Sequence, residues 1–317
     1  MAGRRTNLAL LVFLPIAFLT GWLGFAFFST PSRVALYLHA AAGFLILLLL
    51  PWKSVIARRG LRRARPARWA SLVFAVLVLV SLLFGLLHSL GRPWPFFGGL
   101  TAMEFHVGAA LAAIPFFIWH VVYRPVRARR TDLARRALLR GGLLGAGALA
   151  LAAVPGAPRR LTGSYRLDYV PGTQWMFDPV PNLEPDRWRL RAGNRIWSYD
   201  ELSAFDDRVR AVLDCTGGWY SEQEWEGVRL SRLLQPPPGS LSIVVRSVTG
   251  YARRFDIAAL DKLLLSTRAG GAMLPAENGF PLRLVAPGER GFWWVKWVTE
   301  VRAEPLPAWW QSPFPLQ

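Results

Sequence analysis

Cysteine occurs once in the 317 residues, at Cys215, so the chain can form no internal disulfide and no cluster of thiolates. Histidine is nearly as scarce. There are four, His39, His88, His106 and His120, and none follows residue 120, which excludes a histidine-held metal or a histidine base from the rest of the chain. Acidic residues are missing from one half. Residues 1–158 hold 18 of the 38 Lys and Arg but only Glu104 and Asp132, a net +16, whereas residues 159–317 carry 20 basic and 18 acidic residues, a net +2. The basic excess falls in short runs between hydrophobic segments. That pattern marks membrane topology rather than a DNA-binding face, so membrane lipid is the expected partner and nucleic acid is not. A lone cysteine is by itself most often a small buried hydrophobe, and that reading stands until its surroundings are considered.

What fills the acid-poor half is apolar sequence. Five segments read as helices: 8–28, 34–51, 69–90, 101–123 and a shorter one of small residues, 140–155. The first four are long enough, or nearly so, for a span of about 20 residues. Arg4 and Arg5 precede the first segment, and seven basic residues from Lys53 to Arg68 separate the second from the third. Seven more, from Arg124 to Arg140, separate the fourth from the fifth, while the opposite loops carry only Arg33 and Arg92. The positive-inside rule then sets the N terminus in the cytoplasm. An odd fifth span places residues 160–317 outside, giving a multi-pass protein of the cell (inner) membrane with an extracytoplasmic C-terminal domain.

All four histidines lie in these apolar segments. Ionisable groups in a bilayer are costly and functional by default, and neutral imidazole is a good axial ligand for haem iron. His39 and His106 lie at one depth, about 8 Å in from the outer face on this topology, and His88 is near the outer end of its segment. The simplest assignment is one b-type haem held by His39 and His106. His88 is then a replacement ligand or a contact to a propionate or a quinol. His120 follows His106 by 14 residues, about 21 Å on a similar helix face, and has no partner on the inner side. It is expected to be dispensable for haem; the competing arrangement is two haems, with His120 served by a non-histidine ligand or by a partner subunit. Histidines that serve only packing or the interface are the alternative. The stretches "YLHAAAGFLILLLLPWKS", "GLLHSLG" and "EFHVGAALAAIPFFIWHVVYRP" resemble the membrane cytochrome b subunits of bacterial oxidoreductases, four-helix bundles, over residues 8–123. That resemblance implies electron exchange with quinol or another membrane carrier.

The join "RRALLRGGLLGAGALALAAVPGAP" (135–158) resembles a twin-arginine export signal. Being internal, it reads as an uncleaved fifth helix; an ordinary helix with basic flanks and a cleaved signal are the alternatives. Three parts follow: a membrane cytochrome b-like domain over 1–133, the fifth helix and linker over 134–159, and a C-terminal domain over 160–317. In the last, "SLSIVVRSV" (240–248) and "FPLRLVAP" (280–287) read as strands, and "SYDELSAF" (198–205) and "GVRLSRLL" (227–234) as short helices. Without a βαβ rhythm the class is α+β. The whole chain is an α-helical membrane bundle of four to five helices followed by that domain.

Four stretches give the cysteine a context: "VLDCTGGWYSEQEWEGVRLSRLL", "RSVTGYARRFDIAALDKLLLSTRAGGAML", "ENGFPLRLVAPGERGF" and "WWVKWVTEVRA". In this order they resemble the molybdopterin-binding domain of the sulfite oxidase superfamily. The resemblance implies that the Cys215 thiolate is a molybdenum ligand, a soft donor for such a metal. Gly217 and Gly218 let the backbone pass close to the cofactor. Arg283 and Lys296 would serve the phosphate of the pterin, Asn278 would contact the pterin, Trp294 and Val295 would contribute backbone contacts, and Ser247 or Thr249 a further polar one. Gln174 and Trp175 are candidates for a loop before the cysteine. Trp219, Tyr220 and Tyr251 could line the open face of the metal, and Arg253 and Arg254 read as a solvated pair, with attraction of an anionic oxo-substrate as the alternative. Only 16 residues follow Val301, so the immunoglobulin-like dimerisation domain of sulfite oxidases is not expected. In that respect the chain is similar to the catalytic subunit of periplasmic protein-methionine-sulfoxide reductases, which works with a separate haem-bearing membrane partner. The expected activity is molybdopterin-dependent oxygen-atom transfer on a small oxo-substrate or a protein bearing methionine sulfoxide. A cofactor-free binding or assembly module on a cytochrome, and a bare membrane anchor without haem, are the alternatives.

Overall fold

The computed structural model describes residues 3–26, 30–61, 68–92, 99–129, 132, 134–154, 160, 162–172 and 179–312. The chain divides into two compact units, Met1–Tyr165 and Arg166–Gln317.

The first unit is helical: α1 (Gly3–Ala26), α2 (Thr30–Leu61), α3 (Arg68–Ser89), α4 (Ala102–Tyr123) and α5 (Arg135–Ala153). All five are long and apolar enough to cross a membrane. Two differ from the apolar runs that betray them. α2 continues for ten residues past Pro51 into "WKSVIARRGL", where no glycine precedes Gly60 and Arg58 and Arg59 in the last turn suit the negative end of the helix dipole. α5 starts at the double arginine rather than at Gly141. The start of α4 is fixed by a capping box. The Thr101 side chain accepts from the Glu104 amide, and the Glu104 carboxylate accepts from the Thr101 amide at 2.6 Å. α1 packs along α2 and α3 along α4 as two hairpins. Arg4 of α1 donates to Asp132, between α4 and α5, at 2.6 Å.

The second unit holds two sheets. In one, β4 (Asp207–Asp214), β5 (Trp219–Arg229), β8 (Leu264–Ala269) and β10 (Arg283–Val285) lie side by side, antiparallel, with β1 (Tyr165–Arg166) and β9 (Ala272–Met273) at its margins. The other has the order β3-β2-β11-β6-β7, from β2 (Arg189–Ala192), β3 (Arg195–Ser198), β6 (Ser242–Ser247), β7 (Ala252–Asp256) and β11 (Val298–Glu304). Only β2 and β11 run parallel there. Two short helices are added, α6 (Tyr199–Ser203), capped by Ser198 and Glu201, and α7 (Leu230–Leu233). Both sheets feed one core: Leu190, Ile243, Val245 and Val301 from one meet Trp225, Leu264, Leu265 and Leu284 from the other, all fully buried. The class is α+β, and the strand in "FPLRLVAP" shrinks to Arg283–Val285 between Pro281 and Pro287, which cannot donate to a ladder.

Candidate functional site

β4 and β5 form a long hairpin whose register runs from Asp207↔Gly227 to Asp214↔Tyr220. What remains between them is the tight loop Cys215–Gly218. It closes on itself, the Cys215 amide donating to the Trp219 carbonyl at 2.8 Å and the Gly218 amide to the Cys215 carbonyl at 3.2 Å. Gly218 takes φ +86°, a conformation that costs other residues. The thiol sits at the tip, only partly buried, and accepts from the Gly217 amide at 3.4 Å, a bond that favours the thiolate. The backbone at Gly291 passes behind it. A methyl group there would stand 2.9 Å from the Asp214 carbonyl oxygen and 3.0 Å from Cys215 Cα, so only glycine permits the approach.

Arg283, the first residue of β10, is buried. Desolvation pushes its pKa down to about 10, an effect the field of Cys215 partly opposes, so it stays a cation at neutral pH. Its guanidinium donates to the Asn278 carbonyl at 3.0 Å and lies 5.6 Å from the ring centre of Trp225 and 5.8 Å from that of Trp294. Three buried polar atoms in this neighbourhood have no hydrogen-bond partner among the described residues: Arg283 Nε, Asn278 Oδ1 and Trp219 Nε1. Each such orphan costs about 1–3 kcal/mol unless a ligand satisfies it. A soft thiol, a desolvated cation and unpaired amide and indole groups together fit an anionic, hydrogen-bonding, metal-bearing cofactor.

In the helical unit the rings of His39 (α2) and His106 (α4) meet edge to face, with centroids 5.6 Å apart. His39 Nδ1 lies 2.7 Å from the Ala17 carbonyl of α1, and His106 Nδ1 lies 2.7 Å from the Ser81 carbonyl of α3. Those bonds fix the tautomer and leave Nε2 of each ring for a metal, the arrangement typical of ligating histidines. Gly21 and Gly85 lie against the two rings; a methyl group on either would come within 2.7 Å and 2.9 Å of Nδ1. The donor set and this cradle fit haem. His88 is engaged elsewhere: it is buried, its Nε2 lies 2.8 Å from the Gly163 carbonyl, and its own carbonyl accepts from the Tyr165 hydroxyl.

Residues 177–310 match the family described as the oxidoreductase molybdopterin binding domain. The C-terminal unit is a molybdopterin-binding domain of the sulfite oxidase superfamily. Mitochondrial sulfite oxidase of Homo sapiens is 29% identical over 168 aligned positions, 40% of this chain and 31% of that one. The protein-methionine-sulfoxide reductase catalytic subunit MsrP of Xanthomonas axonopodis pv. citri is 33% identical over 148, covering 38% and 46%. The MsrP of Burkholderia mallei is 26% identical over 227, covering 55% and 68%. The chain thus spans about a third of the length of the sulfite oxidases it matches.

Within the molybdopterin-binding domain the other expected residues have definite places. Trp294 is buried edge-on to Trp225, and Val295 is fully buried with its carbonyl accepting from Leu284 at 2.8 Å. Lys296 Nζ donates to the Glu277 carbonyl at 2.8 Å. Ser247 and Thr249 share a turn after β6, hydroxyl to hydroxyl at 3.1 Å. Gln174 and Trp175 lie outside the described residues. The solvated reading of Arg253 is wrong. Arg253 is buried, donates to the Tyr251 hydroxyl at 2.8 Å and lies within 5.3 Å of the ring centres of Tyr251, Phe292 and Trp293, which replace water by aromatic faces. Arg254 is half-sheltered and paired with Glu304. A buried ion pair, Asp214 with Arg290, escaped the sequence reading. It bridges the residue before Cys215 to the loop behind it, and "DC" followed far downstream by "GERGF" was the only trace.

Proposed function

We propose that this chain is a membrane-bound molybdenum oxidoreductase that transfers an oxygen atom outside the cytoplasm and exchanges electrons through a b-type haem in its helical unit. The observation that carries this reading is the thiol of Cys215 held beside the buried, incompletely satisfied Arg283 and Asn278. When bound, the molybdenum cofactor supplies two-electron oxygen-atom exchange, and haem supplies single-electron carriage. The chain's own residues bind and orient. Cys215 would ligate the metal, with the Gly217 amide donating to its sulfur. Arg283 and Lys296 receive the phosphate, with Arg283 desolvated and so stronger as an anion donor. Asn278, the backbone at Trp294 and Val295, and Ser247 or Thr249 hold the pterin. Trp219 and Tyr251 border the face open to substrate, Tyr251 being fixed by Arg253 and the Phe292 carbonyl.

His39 and His106 would hold the haem, whose one-electron chemistry would serve exchange with a quinol or another membrane carrier. The +16 charge between apolar helices supports an inner-membrane topology with the C-terminal domain outside, and α5 as a retained, twin-arginine-like fifth helix. The names of the matched relatives point to sulfite and to protein methionine sulfoxide as substrates. The test is elemental analysis of full-length protein from a molybdopterin-competent host, with sulfite and methionine sulfoxide assayed side by side using dye acceptors and donors. About one molybdenum per chain and turnover of one substrate are expected; protein without molybdenum sinks the reading.

A further inference from the structure

The helical unit is built twice over. α1 aligns with α3 at a sequence offset of 64 and α2 with α4 at an offset of 67, and the residues that touch the histidines then correspond. Ala17 and Gly21 of α1, which serve His39, correspond to Ser81 and Gly85 of α3, which serve His106. The same offsets pair Asn7 with Ser71 and Lys53 with His120. These contacts repeat as well. Lys53 Nζ donates to Asn7 Oδ1 at 3.0 Å, and His120 Nδ1 lies 3.2 Å from Ser71 Oγ. Each side chain on α2 or α4 is again tied to the other helix of its own hairpin.

Fourteen residues separate His39 from Lys53, and fourteen separate His106 from His120. That is nearly four turns, so the second pair lies about 21 Å along both helices on almost the same faces. In α4 the two levels are placed symmetrically, His106 four residues after the first and His120 three before the last. Lys53 and Arg124 are the cations whose fields reach His120. The Ser71 contact leaves His120 Nε2 available, as the backbone carbonyls leave Nε2 of His39 and His106. At the second level an amine nitrogen stands where the first has an imidazole, and the supporting contacts come from the Asn7 and Ser71 side chains rather than from backbone carbonyls. Ionisable side chains on apolar helices are costly and are kept for function, and a nitrogen donor at one level on each of two helices whose histidines meet fourteen residues earlier suits a haem.

We propose that Lys53 and His120 are the axial ligands of a second b-type haem, so that the chain carries two haems about 21 Å apart. This rests on the reading of His39 and His106 as haem ligands. Lysine binds iron as the neutral amine, so ligation releases one proton from Lys53.

The test is haem stoichiometry, redox titration and low-temperature electron paramagnetic resonance on the full-length protein in detergent. Two haems per chain are expected, titrating as two components with distinct low-spin signals. His120→Ala should leave one haem, with the signal of the His39 and His106 pair unchanged. Lys53→Ala should remove the second low-spin signal, and Lys53→His should restore two low-spin haems, now both of bis-imidazole type. Rescue by histidine marks a ligand rather than a packing role. One haem per chain in the unaltered protein, with a spectrum indifferent to Lys53→Ala and His120→Ala, overturns the second site and leaves the first standing. So does a single haem combined with a raised KM for a soluble quinol analogue in those variants, which makes this level a quinol site. Protein without haem overturns both.

Discussion

Cys215 ends up poised for metal because of its immediate neighbours. The hairpin register forces four residues to turn the chain, glycine at 218 accepts the left-handed turn, and the Gly217 amide points at sulfur. Arg283 is the second decisive residue. A guanidinium held at a pKa of about 10 by burial has lost water and awaits an anion. Arg283→Gln removes a charged hydrogen bond worth about 1.5–3 kcal/mol, so cofactor retention on dilution should weaken by roughly 10- to 150-fold. Arg283→Lys should not rescue it fully, since a point charge cannot reproduce the fork. Molybdenum content after gel filtration reads both. Asp214→Asn is a stability experiment. It leaves Arg290 buried without its carboxylate, costing about 3–5 kcal/mol, whereas replacing both partners by apolar residues should recover most of the loss. Calorimetry of the C-terminal unfolding step decides; an unchanged Tm for Asp214→Asn would show the pair to be solvated.

At the scale of elements, helices α1 and α3 act as supports for histidines carried by α2 and α4. The supports need glycine where the rings press on them. Gly85→Ala puts a methyl group 2.9 Å from His106 Nδ1 and should abolish most of the b-type absorption, and Gly21→Ala should do the same through His39. Gly43 and Gly108 lie on the ligand helices with nothing within 4 Å of an added methyl group, so Gly43→Ala and Gly108→Ala should keep the full spectrum. Equal haem in all four variants would mean that the rings can shift freely. The α+β unit shows the same division of labour. Its strands set the frame and carry Arg283, while the segments between strands carry Cys215, Asn278 and Lys296.

At the scale of the whole molecule, two units with separate cores should fail separately. Cys215→Ser should lose substrate turnover and molybdenum while the reduced b-type spectrum stays intact, because the thiol belongs to the C-terminal unit alone. His106→Ala should do the reverse, keeping molybdenum and dye-linked turnover but losing the haem spectrum. Metal analysis and difference spectra on the same preparations check both. Loss of haem in Cys215→Ser would show that the units depend on each other for folding.

By itself the sequence determined the broad plan. Hydropathy and the position of arginines mark five helices, because a bilayer-length apolar run has few alternatives to a helix. The four ordered stretches around Cys215, Arg283 and Lys296 mark the molybdopterin-binding domain, and the small-residue and capping signals mark several helix ends. Tertiary structure decided what depends on partners distant in the chain. It put Arg253 in an aromatic cage rather than in water, joined Asp214 to Arg290 across 76 positions, and committed His88 to the Gly163 carbonyl. It also showed the His39 and His106 rings in contact, and because Lys53 and His120 each follow by fourteen residues on the same two helices, Lys53 is the proposed counterpart of His120. Local pattern fixes which segments are helix or strand, since backbone hydrogen bonding and burial act over a few residues. Which side chains share a site is settled only by packing between segments, where a single residue's chemistry depends on neighbours the sequence does not place beside it.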